Sequence, residues 1–154
     1  MPEPVTTTST AFPETPERRA EATRRLIEAT GLDDAILERL VRAFYARARR
    51  DPEIGAKFDG VHDWEDHIAR ITRFWSSVAL MTGCYHGQPL PPHVRLDLHS
   101  PHFARWLALF EATAHEICPV QAVDYLVEKA RRIAASLQMG VSVARGERPD
   151  ATAG

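Results

Sequence analysis

Four side chains stand out because each places a polar group on an otherwise apolar body: Tyr45, His67, His93 and Trp106. Tyr45 follows Phe44 on an apolar helix face, His67 lies on the aromatic side of a second helix, and Trp106 sits mid-stripe on a third. Any one of them alone could be a core residue satisfied by a backbone partner. Three such residues on three converging faces suggest one shared pocket that needs hydrogen-bond donors. The fourth, His93, lies in the stretch GQPLPPHV (87–94) directly behind Pro91 and Pro92. Proline fixes φ near −65° and suits a first helical turn, so His93 could open a short helix on a stiffened tether. The other reading is a loop histidine with no special role.

The elements that must position these residues are helical throughout. The chain has 154 residues, 44% of them apolar and 26% charged, which fits one globular domain with a real core. Residues 1–14 mix Pro, Thr, Ser and Glu and read as a disordered arm; residues 144–154 read as a disordered tail. Between them, 15–143, lies a single domain. Thr15-Pro16 starts a helix that runs to about Thr30 before Gly31. A second helix runs from near Asp33 to about Arg50, with Leu37, Leu40, Val41, Phe44 and Ala48 as its stripe. Asp51-Pro52 ends it, and DPEIGAKFDG reads as a tight corner. Asp63 begins a third helix, and from Trp64 its stripe is Ile68, Ile71, Trp75 and Val78. A fourth runs from about His102 to Cys118, and a fifth follows Pro119 with apolar positions continuing to Leu137. The chain is all-α.

Several functions are excluded by that reading. A phosphate-cradling glycine loop needs a strand before its helix, and none is present. The nucleophile elbow G-x-S-x-G and the zinc motif H-E-x-x-H are absent. A net charge of −2 leaves no electrostatic footprint for nucleic acid. No apolar run approaches the ~20 residues that span a bilayer, and MPEPVTTTST lacks the pattern of a signal peptide. Two cysteines, Cys84 and Cys118, fit reduced thiols in a cytoplasmic protein. A flat apolar cofactor, by contrast, suits the arrangement. His67 near the start of the third helix and His93 beyond the proline loop could flank a slot, as histidines flank an iron porphyrin.

The segments FYARARRDPEIGAKF, DWEDHIARITRFWSSV, TGCYHGQPLPPHVRL, HFARWLALFEATAHE and RRIAASL, in that order, resemble the third group of bacterial truncated haemoglobins. The resemblance covers about residues 33 to 140. It implies a shortened globin-like helical sandwich around haem b, with His93 as proximal iron ligand. It implies Tyr45, His67 and Trp106 as distal groups around the ligand, and Phe44, Phe58, Ile71, Phe74 and Trp75 as pocket wall. Ala56, where the family commonly has proline, departs from the pattern without touching those groups.

Two functions follow as expectations. One is reversible dioxygen binding with tight retention. The other is detoxification, by oxidising nitric oxide to nitrate or turning over peroxide, with electrons from an external reductase because no flavin or nicotinamide domain is visible in the chain. A cofactor-free helical protein that acts through partners is the alternative of a different class. The oligomeric state is left open by the sequence.

Overall fold

The computed structural model describes residues 15–147. The expected arm at 1–14, and residues 148–154 of the expected tail, lie outside them. Six α-helices and one 3₁₀ turn make up the described part: α1 (Pro16–Thr30), α2 (Asp34–Ala48), the turn Gly55–Phe58, α3 (Trp64–Leu80), α4 (Leu90–Val94), α5 (Ser100–Ile117) and α6 (Val120–Ala144). The all-α expectation holds for these residues.

The helix starts are written in short polar side chains. Thr15 Oγ1 accepts from the Arg18 N–H at 3.2 Å, Asp33 Oδ1 from Ile36 at 2.8 Å, and Asp63 Oδ1 from Asp66 at 3.1 Å. Gly31 ends α1 in the left-handed conformation, φ 72°, with its N–H on the Ile27 carbonyl. Three boundaries differ from the sequence reading. α5 begins at Ser100, because Pro101 needs no N–H partner in a first turn. α6 runs past Leu137 to Ala144, carried by buried Val141. At the edge of the expected tail, Arg145 donates to the Leu98 carbonyl at 2.6 Å and pairs with Glu147 at 3.0 Å.

α2 packs against both α3 and α5, and α5 packs along α6. Leu37, Leu40, Val41 and Phe44 of α2 meet Trp75, Ala79 and Leu80 of α3, Phe110 and Ala114 of α5, and Leu126 and Ala130 of α6. A smaller cluster of Leu98, Phe103, Ala134 and Val141 closes the far end. Burying a leucine or phenylalanine side chain is worth roughly 1.5–3 kcal/mol, so these positions, rather than helix propensity, hold the fold together. Leu126 is wholly buried; Leu126→Ala is expected to cost ~2–5 kcal/mol, read as a lower urea midpoint.

The corner after α2 is fixed by one carboxylate. Asp51 Oδ1 accepts from the Glu53 and Ile54 N–H groups at 2.9 and 3.2 Å, while Oδ2 meets Arg105 of α5 at 2.7 and 2.8 Å. Gly55 packs where a β-carbon would come within 2.7 Å of the Arg49 carbonyl oxygen, so only glycine fits the bend. Arg105 beside it holds the Asp51 carboxyl below the usual carboxylate range, helped by the two backbone donors. A depressed folded-state pKa stabilises above the unfolded value and is lost as pH falls through the folded value. Thermal melts of the parent and Asp51→Asn should therefore differ most near neutrality and converge in acid. A gap that stayed constant with pH would detach Asp51 from this role.

Candidate functional site

Tyr45, buried on the last full turn of α2, sits at the centre of an aromatic cluster. Phe44, Phe58, Trp64 and His67 surround its ring, with centroids at 5.2, 5.6, 5.4 and 5.0 Å. The Tyr45 hydroxyl lies 3.1 Å from His67 Nε2. That contact has two tautomeric forms: a protonated Nε2 donates to the phenol oxygen and frees the phenolic hydrogen, whereas a bare Nε2 accepts it. Burial pushes the Tyr45 hydroxyl well above its ordinary pKa, so it stays a neutral donor. Burial also lowers His67 below the ordinary 6.5, aided by the Arg70 charge, so the imidazole is neutral at pH 7.

Behind this pair the helices leave a small cavity, about 20 Å³, lined by Leu40, Val41, Phe44, Tyr45, Ile71, Trp75, Trp106 and Phe110. Trp106 stacks on Phe110 at 5.5 Å, and Phe110 on Trp75 at 4.8 Å. No hydrogen bond among the described residues takes the Trp106 N–H. Five of the sequence-predicted residues (Phe44, Tyr45, Ile71, Trp75, Trp106) thus share one cavity, with Phe58 and His67 at its rim. Phe74 is placed differently: it packs on Trp75 and Tyr85, at 5.7 and 5.2 Å.

His93 is the next-to-last residue of α4 rather than its first. Pro91 and Pro92 occupy the opening turn, where a missing N–H costs nothing, and this pushes the helix start back to Leu90. The result ties the ring down. His93 Nδ1 lies 2.6 Å from the Pro89 carbonyl oxygen, which can only accept, so Nδ1 carries the hydrogen and Nε2 presents its lone pair. His93 is also near enough for its charge to disfavour a charge on His67.

A polypeptide from Campylobacter jejuni described as "Group 3 truncated hemoglobin ctb" is 30% identical over 108 residues, 66% of this chain and 85% of the relative. The chain belongs to the group III truncated haemoglobins. The crystal structure of a group III truncated hemoglobin from Campylobacter jejuni superposes with a TM-score of 0.65 at 29% identity, covering 71% of this chain and 91% of that one. No protein-family model matches the chain.

The globin fold expected from the sequence is thereby established, and the family implies a haem cofactor and diatomic gas ligands. The cofactor-free alternative recedes accordingly. The residues present suit that group: an imidazole whose Nδ1 is already satisfied by Pro89, apolar and aromatic side chains, and a tyrosine hydroxyl and a tryptophan N–H as donors. Among the described residues no cluster of three or more His, Cys, Asp or Glu could hold a metal ion unaided, and no helix is long and apolar enough to cross a membrane.

Two contributors escaped sequence reasoning. Trp64 read only as the start of a stripe, yet it covers Tyr45 and His67 and carries the Arg49 guanidinium 4.1 Å above its ring. The spacing Trp64, His67, Ile71 on one helical face was the available signal. Arg70, one turn beyond His67, acts on both distal groups by its charge and is steadied by Asp66 at 3.1 Å. In an NMR titration of the cofactor-free protein the His67 ring should protonate below pH 6.5. A midpoint above it would show that the ring is hydrated rather than packed.

Proposed function

We propose that the protein binds dioxygen reversibly at the iron of haem b, held through His93 Nε2, and retains it with Tyr45, His67 and Trp106. The reading is supported by two local arrangements, His93 with its Nδ1 spent on the Pro89 carbonyl and the buried Tyr45 hydroxyl beside His67. When bound, haem supplies an iron centre that takes diatomic ligands and reacts with peroxides. Every other part of the task falls to side chains. His93 keeps one tautomer and one ring orientation because the Pro89 carbonyl holds it. Phe44, Phe58, Ile71 and Trp75 provide apolar surface that excludes water, with Phe74 packed behind Trp75. With Nε2 protonated, His67 donates to the Tyr45 oxygen and turns the phenolic hydrogen toward the ligand, and the Trp106 N–H adds a second donor.

A ligand that draws negative charge makes such hydrogen bonds charge-assisted, about twice the strength of neutral ones. Losing one costs on the order of 1.5–3 kcal/mol, so Tyr45→Phe should release dioxygen about ten- to a hundredfold faster. An unchanged release rate would remove Tyr45 from the scheme.

Tight holding suits chemistry better than delivery. The reading therefore extends to oxidation of nitric oxide to nitrate and to peroxide turnover, fed by an external reductase in the cytoplasm. The two free thiols, Cys84 and Cys118, suit that compartment. Stopped-flow mixing of the dioxygen complex with nitric oxide should give nitrate within the mixing time scale; slow or absent conversion would leave dioxygen binding alone.

A further inference from the structure

Trp64 has no part in ligand binding as described so far, yet its position is unusual. It is half-buried, with its ring 5.4 Å from that of buried Tyr45 and 5.5 Å from His67. It thus links the interior of the distal pocket to the surface. The other aromatic chain leading from Tyr45 runs inward, through Phe44 to Phe110 and buried Trp75. Phenylalanine is hard to oxidise, so that branch is a poor conductor of charge. Tyrosine and tryptophan are the two readily oxidised aromatic side chains, and here they are in contact. In the tautomer whose Nε2 is bare, the step from Tyr45 also has its proton acceptor in place, because oxidising a phenol makes its hydrogen strongly acidic and His67 Nε2 lies 3.1 Å away.

We propose that Tyr45, His67 and Trp64 form a relay that carries oxidising equivalents from the pocket to the protein surface, where Trp64 oxidises aromatic reductants too large to enter. This deepens the peroxide reading above and rests on it. A hydroperoxide takes up two electrons in all, and each arrives by the same route. Tyr45 gives up one electron to the oxidised pocket, and its phenolic proton moves to bare Nε2 of His67. Trp64 then gives an electron to Tyr45, His67 returns the proton to the phenol oxygen, and the indole N–H proton passes to solvent. A phenol outside gives an electron to Trp64 and releases its proton, and the indole nitrogen is protonated again. For hydrogen peroxide and a phenol ArOH, two passes give two waters and two ArO• radicals, which balances atoms and charge.

Arg49 sets the character of the outlet. Its guanidinium lies 4.1 Å above the Trp64 ring, a contact that favours electron-rich indole and disfavours a positive charge on it. Oxidised Trp64 should therefore shed its N–H proton and persist as the neutral radical. The same cation favours reductants that carry a negative group.

The test uses the full chain loaded with haem, oxidised to the ferric state, mixed with hydrogen peroxide and frozen for electron paramagnetic resonance. The parent should show a tryptophanyl radical, identified by narrowing on ring-deuterated tryptophan, with no coupling to an exchangeable indole proton. In Trp64→Phe that signal should be lost and a tyrosyl signal should rise in its place. Oxidation of ferulate, a phenol bearing a carboxylate, should be lost per peroxide consumed. Arg49→Met keeps the indole and should convert the radical to the cation form, with its exchangeable coupling restored. A tryptophanyl signal that survives in Trp64→Phe, or ferulate oxidation unchanged per peroxide, would overturn the relay alone. A ferric protein whose haem spectrum does not respond to peroxide would overturn the relay and the peroxide reading together.

Discussion

A helix of five residues cannot hold itself together in water, because it spends its length on nucleation. α4 is such a helix, and it carries His93. Its existence depends on what it packs against, and that surface is α6. Gly140 opens the space: a β-carbon there would come within 2.7 Å of Leu90 Cδ1, so glycine lets α4 settle onto α6. The prolines remove conformational freedom that folding would otherwise have to remove. The Pro89 carbonyl then fixes the tautomer of the ring. Length, packing and one 2.6 Å hydrogen bond together decide where Nε2 points.

The distal side is built on the opposite strategy. Tyr45, His67 and Trp106 lie on three long helices, α2, α3 and α5, that pack through a shared core. Their positions follow from Leu40, Val41, Trp75 and Phe110, the same residues that line the cavity. Desolvation keeps both members of the Tyr45–His67 couple neutral. One short, proline-stiffened tether thus carries His93, and one aromatic wall carries the groups proposed to meet the ligand.

Much of this was legible in the chain itself. Apolar spacing of three and four residues marked α2, α3, α5 and α6, Thr15-Pro16 and Gly31 bounded α1, and Asp33 and Asp63 marked two further starts, because caps and periodicity are local physics. The convergence of Tyr45, His67 and Trp106 followed from their faces. Resemblance supplied the role of His93, which spacing left open. What could not be read was tertiary. The place of His93 within α4 depends on how prolines shift the helix start, and the displacement of Phe74 toward Tyr85 depends on the loop after α3. The Asp51–Arg105 pair joins residues 54 apart, and no periodicity announces such a contact. Trp64 was hidden by its ordinary place at the head of a stripe; only the fold brings Tyr45 against its ring.

The central claim is that His93 Nε2, aimed by Pro89, holds the iron of haem. Titrating haem into the cofactor-free parent and into His93→Gly, each with and without imidazole, tests it most directly. The account predicts a saturable Soret band in the parent that shifts on reduction and with carbon monoxide, loss of that coordination spectrum in the variant, and its return when imidazole fills the vacated place. A His93→Gly protein with the parent spectrum, indifferent to imidazole, would contradict it.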